Sequence, residues 1–333
     1  MLFNIKLLKV AHKVVIGFSV ILLLLLISSI SSVGILSDIQ NASAKVDDFA
    51  LPIQKYANIV QKQLLKQAKL SSFISNSTTI KEIEQLKSTF AQQGKLLVEQ
   101  RELIEKMLYV FPNINDLANF NLVYGKYSNS VELMFAHRIA EIKQTQIYIE
   151  QQKTIDDILY EAGAVLGDLT YLDDPDNQDM VDRISGSASQ IEGFVFNLTD
   201  ATKTILSIKT ITEVEESQKT IEFAISNIEQ YSTFLITLGK SYNTDGLTDK
   251  FVEEFNKAKE IFRSNNNLFT LKISQLEQKQ GLNEAFKNSE LHINTSIQYI
   301  DVFLQAVDKN LTQLQAGISS NVEQGTLEIM VIF

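Results

Sequence analysis

The feature that most constrains this chain is a run of 23 residues without a charge, from Val14 to Leu36. As an α-helix the run would be about 34 Å long, enough to cross a hydrocarbon core of roughly 30 Å. Lys6, Lys9 and Lys13 precede it, and no acidic residue occurs before Asp38. Basic residues collect on the cytoplasmic side of a membrane helix, so we predict a cytoplasmic N-terminus, with the chain after the helix outside.

A cleaved signal peptide is the alternative, because Ala42-Ser43-Ala44 has the A-x-A form of a cleavage site. The apolar part of a signal peptide is usually about 7–15 residues long, shorter than this run. The triplet also lies beyond a polar gap. We therefore predict a retained anchor.

Composition indicates long helices and excludes several functions. Only 13 Gly and 3 Pro occur in 333 residues, so turn signals are few. The net charge of −10 speaks against nucleic acid as a partner. Cysteine is absent and the three histidines lie far apart, so no metal or other cofactor is expected. We find no catalytic arrangement or phosphate-binding loop, and predict that the segment is not an enzyme.

Apolar residues recur at steps of three and four along the rest of the chain, which predicts helices that pack on one another. Thr79-x-x-Glu82 and Thr212-x-x-Glu215 have the capping-box pattern of a helix start, and Pro52 predicts a kink. No strong stop signal follows Thr248. The six predicted helices cover about 37–75, 79–110, 115–172, 175–209, 212–240 and 248–328.

These lengths predict an all-α fold: a membrane helix followed by two stacked four-helix bundles built from six helices, two long and four shorter. Each pair of shorter helices would climb away from the membrane, and each long helix would return. The proximal module would hold about 37–75, 145–209 and 281–328, and the distal module about 79–144 and 210–280. We interpret the apolar residues 329–333 as the start of a truncated second membrane helix; a buried tail is the alternative.

The chain resembles bacterial transmembrane chemoreceptors, the methyl-accepting chemotaxis proteins. The resemblance rests on the basic start, on Gly17-Phe18-Ser19, Leu51-Pro52-Ile53 and Gly325-Thr326-Leu327, and on a helical plan like the helical bimodular sensor domain. It implies a homodimer in the bacterial inner membrane with a periplasmic sensor domain. It also implies a small-molecule ligand such as an organic acid, and a downstream kinase and adaptor reached through a cytoplasmic part.

Candidate ligand residues follow from that resemblance, because arginine binds carboxylates in a bidentate manner. Arg138 falls at an inward position, although a structural pair with Glu141 is the alternative. For Lys62 and Lys66 the alternative is a solvated lysine face. For Asn265 the alternative is an interior asparagine that fixes the register of the helices. The candidates are Arg138 and Arg183; Lys62, Lys66 and His292 in the proximal module; and Arg101, Tyr124, Tyr127 and Asn265 in the distal module.

Two further patterns have structural interpretations. Gly163 and Gly167 are four residues apart on a predicted helix, which indicates close packing of a neighbour. Asp156-Asp157 is interpreted as part of a solvated face rather than a cation site.

The function predicted from all of this is the ligand-sensing, membrane-anchored half of a chemotaxis receptor, which passes a helix displacement to a cytoplasmic signalling domain. One alternative is the sensor of a histidine kinase or of a cyclic-dinucleotide enzyme. A second is an anchored structural coiled coil without a ligand.

Overall fold

The computed structural model describes residues 10–111, 114 and 117–332, and all regular structure among them is helical. The predicted all-α class is confirmed. The α-helices are α1 (Val10–Lys45), α2 (Leu51–Ile74), α3 (Ile80–Met107), α4 (Ala118–Thr170), α5 (Gln178–Thr204), α6 (Ile211–Ser241), α7 (Leu247–Arg263) and α8 (Leu268–Ile332).

The first helix continues from the apolar run into the following domain. A π-helical turn, Val46–Ala50, joins α1 to α2, and the Leu51 N–H bonds to the Val46 carbonyl across it. This turn immediately precedes Pro52, which lacks an N–H and disturbs the regular α-helical hydrogen bonds. The predicted kink is thus a change of helical winding within an unbroken helix. The run Val14–Leu36 lies within α1, and by length and composition this helix can cross a membrane. Lys6 and Lys9 lie outside the described residues.

The first predicted capping box is confirmed and the second is wrong by two residues. The Glu82 N–H donates to Thr79 Oγ1 at 3.2 Å, and the Thr79 N–H donates to Glu82 Oε2 at 3.3 Å. The helix predicted to start at Thr212 is instead capped by Thr210, whose Oγ1 accepts from the Glu213 N–H at 3.3 Å. Both threonines have a glutamate three residues later, and the earlier start forms more helical hydrogen bonds.

The helix predicted without a stop from Thr248 to Glu328 is broken between α7 and α8. Asn267 organises the break: its Oδ1 accepts from the N–H groups of Phe269 and Thr270 at 3.0 and 2.9 Å, and its Nδ2 donates to the Phe262 carbonyl at 3.1 Å. The sequence Ser264-Asn265-Asn266-Asn267 is rich in residues that favour helix ends. The periodicity of the apolar residues does not reveal this break, because Phe255, Phe262 and Phe269 keep their spacing of seven across it and all three are buried.

Contacts divide the chain into two compact units. Unit 1 comprises the described residues of Met1–Leu70, Ser88–Asn129 and Ser289–Phe333. Unit 2 comprises Ser71–Lys87 and Ser130–Asn288. The predicted modules placed 37–75 and 79–144 apart, whereas residues 88–129 group with the first helix. The reason is that α3 folds back beside α2, as the bond from Gln67 Nε2 to the Phe90 carbonyl shows, instead of continuing in the same direction.

Within unit 1, α8 packs antiparallel to the first helix with a constant register. Gln54 Nε2 donates to Asp308 Oδ1 at 2.6 Å, and seven residues later Gln61 donates to Asp301, seven residues earlier on α8. Further down, a Cβ placed on Gly325 would lie 3.5 Å from Cγ2 of Ile35. The last helix therefore extends alongside α1 to the edge of the apolar run. Among residues 329–333, predicted to begin a second span, the backbone is helical through Ile332, and Phe333 lies outside the described residues.

Unit 2 has a core built from α4 to α8. Residues that recur at steps of three and four from Val181 to Ile205 predict one inward face for α5, and this is confirmed, since all eight of them are buried. On α4 the same spacing of apolar residues predicts that Ile149 faces inward, and this prediction is wrong: Ile149 is half exposed, and its neighbour Tyr148 is buried instead. The helix phase that buries Ile155 and Leu159 selects Tyr148, because these residues are spaced by seven and four.

Candidate functional site

A buried polar cluster lies inside unit 1 and brings together three of the predicted residues. Its centre is Gln67, which is completely buried and whose Nε2 donates to the Tyr124 hydroxyl at 3.1 Å. Gly94 makes room for this pair, because a Cβ there would lie 3.3 Å from both polar atoms. Tyr127 packs beside Tyr124 with ring centroids 6.1 Å apart. We call these residues, with Arg101, the Gln67 cluster.

Several polar groups of this region lack partners in the described part of the chain. Oε1 of Gln67 and Oε1 of Gln63, one turn earlier on α2, are buried acceptors without a donor. Arg101 donates from Nη1 to Asn121 Oδ1 at 3.2 Å, but its buried Nε has no hydrogen bond. Burial raises the pKa of Tyr124, so its hydroxyl stays protonated. An unsatisfied buried polar group costs about 1–3 kcal/mol, so this core is polar at the expense of stability.

Arg138 makes structural contacts, in agreement with the alternative prediction that it pairs with Glu141. Its Nε and Nη2 donate to the Ser77 carbonyl at 2.9 and 2.6 Å, and its Nη1 pairs with Glu141. Ser77 lies in the turn between α2 and α3, where the last carbonyls of a helix lack intrahelical partners. Arg138 therefore holds this turn and is not free to bind a ligand.

Four other candidates do not form a site. Lys62 and Lys66 are exposed on α2, which fits a solvated lysine face. His292 is half-buried on α8 and its carbonyl accepts from the Ser296 hydroxyl at 2.8 Å. Asn265 is exposed in the α7–α8 turn, so an interior role that fixes helix register is not observed.

Arg183 opens onto a cavity of about 410 Å³ between α5 and α6 in unit 2. Its guanidinium lies 5.8 Å from the centre of the Phe234 ring. Of the four arginines it alone has no hydrogen bond or ion pair with the described part of the chain. Ser187 is buried beside it, and its Oγ has no hydrogen-bond partner there.

The other lining residues suit an anionic ligand. Gln190 and Gln230 add amide donors, Tyr231 adds a hydroxyl, and the one acidic lining residue, Asp182, already accepts from Gln178 at 2.8 Å. We call this cavity the Arg183 pocket. A small carboxylate could bind there through charge-assisted hydrogen bonds while its apolar part contacts the aromatic rings.

The predictions from the sequence did not include Gln67, Gly94 or the amide side chains of the Arg183 pocket. Gln67 had a detectable signal, because it follows Val60 and Leu64 at steps of four and three and is therefore a polar residue at an inward position. Gly94 and Gln230 have no comparable signal, since their roles depend on side chains of another helix.

No protein-family model and no curated protein matches the sequence. Two similar solved structures are both sensor domains of TorS. The TorS sensor domain in complex with TorT, in the presence of TMAO, has a TM-score of 0.49 and 10% identity, over 79% of this chain and 99% of that one. The sensor domain of the histidine kinase sensor TorS of V. parahaemolyticus has a TM-score of 0.41 and 11% identity, over 82% of this chain and 99% of that one. These TM-scores and identities assign no family to the chain.

Proposed function

We propose that this chain is the membrane-anchored, ligand-sensing part of a transmembrane receptor, with its helical domain in the periplasm. The antiparallel packing of α8 against the first helix carries the proposal. That helix is continuous from the apolar run to Ile74, and α8 returns along it to Ile35. A change in how unit 1 packs would therefore shift α8 against α1 at the membrane. Sliding steps of about 1–2 Å are sufficient for signalling between packed helices.

The ligand of this proposal is a small organic acid, and the site is the Arg183 pocket. A free guanidinium beside neutral donors provides more attraction for a carboxylate than the Gln67 cluster, whose Arg101 already contacts Glu105 at 3.6 Å. The Gln67 cluster instead serves as an imperfectly satisfied polar layer in the bundle that leads to the membrane. Such a layer lowers the stability of one packing relative to another.

The output of the receptor stays a prediction. A helix that returns to the membrane could pass a signal either to a chemotaxis signalling domain or to a histidine kinase. The two similar structures carry the name of a histidine kinase sensor, the alternative of the sequence interpretation, but at their scores they assign neither output. The proposal therefore stops at a sensor, with homodimerisation, kinase and adaptor as expectations for the complete receptor.

The test is calorimetric titration of the full chain in lipid nanodiscs with a panel of mono-, di- and tricarboxylic acids. At least one acid is expected to bind, and Arg183→Gln is expected to weaken it about 10- to 100-fold, the value of one or two charge-assisted hydrogen bonds. Arg263→Gln is the matched control, because Arg263 is exposed and pairs with Glu229. No binding by any acid, or equal effects of both substitutions, would refute the site and favour an anchored structural coiled coil.

A further inference from the structure

A second and larger cavity lies in unit 2, between α4 and α5. Its volume is about 650 Å³, and it exists because Gly163, Ala164 and Gly167 leave the facing surface of α4 without bulk. A Cβ added to either glycine would meet nothing within 4 Å, so the predicted role in close packing is wrong. The rings of Tyr160 and Phe196 line this groove with 75% and 71% of their surfaces exposed. Together with the bare surface of the glycines they make the groove wall apolar, and such a surface suits the methylene chain of a ligand.

The polar lining of the groove is mainly acidic. Asp156 and Asp157 lie on α4 and Glu192 lies on α5, against one cation, Lys203. The Oδ1 atom of Asp156 is completely buried and has no hydrogen-bond partner in the described part of the chain. Burial raises the pKa of this carboxyl group, even though Lys203 and a hydrogen bond from the Thr202 side chain act in the opposite direction. A half-buried carboxyl group with one oxygen left without a partner favours a cation beside it.

The carboxylates occupy two positions along the groove. The Ser185 hydroxyl donates to the Thr170 carbonyl at 2.7 Å, which sets the two antiparallel helices level at that point. Glu192, seven residues further along α5, is then roughly level with Gly163. Asp156 lies seven residues before Gly163 on α4, so the two carboxylates are about 10 Å apart along the helix axis. The aromatic rings belong to residues between these two levels.

We propose that this groove binds a linear aliphatic diamine or triamine. One ammonium group would pair with Asp156 and Asp157 and the other with Glu192, while the methylene chain crosses Tyr160 and Phe196. Ammonium groups bind carboxylates through charge-assisted hydrogen bonds and are attracted to aromatic faces. This ligand goes beyond the proposed organic acid and uses a different cavity, so either site can fail without the other.

The first experiment compares amines on the full chain in nanodiscs by calorimetric titration at constant ionic strength. Putrescine and spermidine are expected to bind at least tenfold more tightly than n-butylamine, which has the chain length of putrescine and one charge. Lys203→Ala is expected to tighten spermidine binding several-fold, because it removes the competing ammonium group. Equal affinities for putrescine and n-butylamine would overturn the two-point arrangement.

The second experiment separates a built site from the general negative charge of the protein. Asp156→Asn and Glu192→Gln are each expected to weaken spermidine binding about tenfold. Asp168→Asn and Asp200→Asn are the charge-matched controls, on the exposed faces of the same two helices and outside the groove. Controls that weaken binding as much as the groove variants would overturn the proposal in favour of diffuse attraction.

The third experiment fills the groove without changing its charge. Gly167→Leu is expected to abolish spermidine binding, with helical content and melting temperature measured alongside. Gly163→Leu is the second variant if the first fails to fold. Unchanged spermidine binding by a folded variant would overturn the proposal. So would a wild-type chain that binds no amine but changes oligomeric state when the groove is filled, because the groove would then hold a helix of a second chain.

Discussion

A disulfide between α1 and α8 tests the register on which the proposed function rests. The chain has no cysteine, so Ile35→Cys with Gly325→Cys would create one possible intramolecular bond. A Cβ at position 325 lies 3.5 Å from Cγ2 of Ile35, close to where a cysteine sulfur would sit. In a disulfide with an S–S bond of about 2.05 Å, that sulfur is about 3 Å from the partner's Cβ. A shift of about half an ångström therefore closes the bond, whereas a slip of one helical turn, about 5.4 Å, prevents it.

The assay is the electrophoretic mobility of the full chain without reductant, after mild oxidation in membranes. We expect nearly complete crosslinking within one chain for the Ile35–Gly325 pair. The control pairs Ile35→Cys with Thr326→Cys, which is rotated by about 100° around α8 and should crosslink poorly. Equal crosslinking of both pairs, or none in either, would refute the antiparallel register. If a ligand slides α8 by about 1–2 Å, its addition should also slow crosslinking of the first pair.

Three further substitutions test local packing, by chemical or thermal unfolding of the full chain. Gly281→Ala should destabilise by about 1–3 kcal/mol, because the new Cβ would lie 2.5 to 2.8 Å from the His137 ring, and His137→Ala should relieve most of this loss. Thr210→Ala should cost about 1 kcal/mol through loss of the helix cap, whereas Thr212→Ala should cost little; the opposite order would restore the original cap prediction. Burial lowers the pKa of Lys272, so the folded chain binds this proton less tightly than the unfolded chain. Stability should therefore rise with pH between the lowered pKa and about 10.4, and Lys272→Met should flatten that rise.

Local sequence signals predicted where helices exist better than they predicted how the chain turns between them. The α5 stripe from Val181 to Ile205 and the box at Thr79 depend on neighbours within a few residues, and both are confirmed. A capping box marks the start of a helix but carries no information about its direction. The fold-back of α3 onto α2 depends instead on packing at Gln67 and Gly94, which lie 27 residues apart in the sequence.

The candidate site shows the same difference between local sequence signals and contacts that depend on distant residues. All four arginines were visible in the sequence, and the (i, i+3) pair of Arg138 with Glu141 made its structural role predictable. Nothing near Arg183 in the sequence shows that Phe234 and Gln230 of another helix face it. The groove beside Gly163 was likewise invisible, because two glycines on a helix indicate close packing and empty space equally well.

Two cations of unit 2 that donate to backbone carbonyls explain why Arg183 stands apart. Arg138 lies 59 residues after the cap Thr79, and Lys272 lies 62 residues after the cap Thr210. Arg138 donates to the Ser77 carbonyl, and Lys272 Nζ donates to the Leu206 carbonyl at 2.7 Å. At each capping-box break a threonine thus starts one helix, and a cation from a later long helix binds a backbone carbonyl of the segment just before that threonine. The two breaks therefore share a local device, although α3 folds back beside α2 and the last predicted long helix is broken between α7 and α8. Neither cation is available to a ligand, and this leaves Arg183, which is exposed and lines its pocket without an ion pair, as the arginine on which an organic acid would depend.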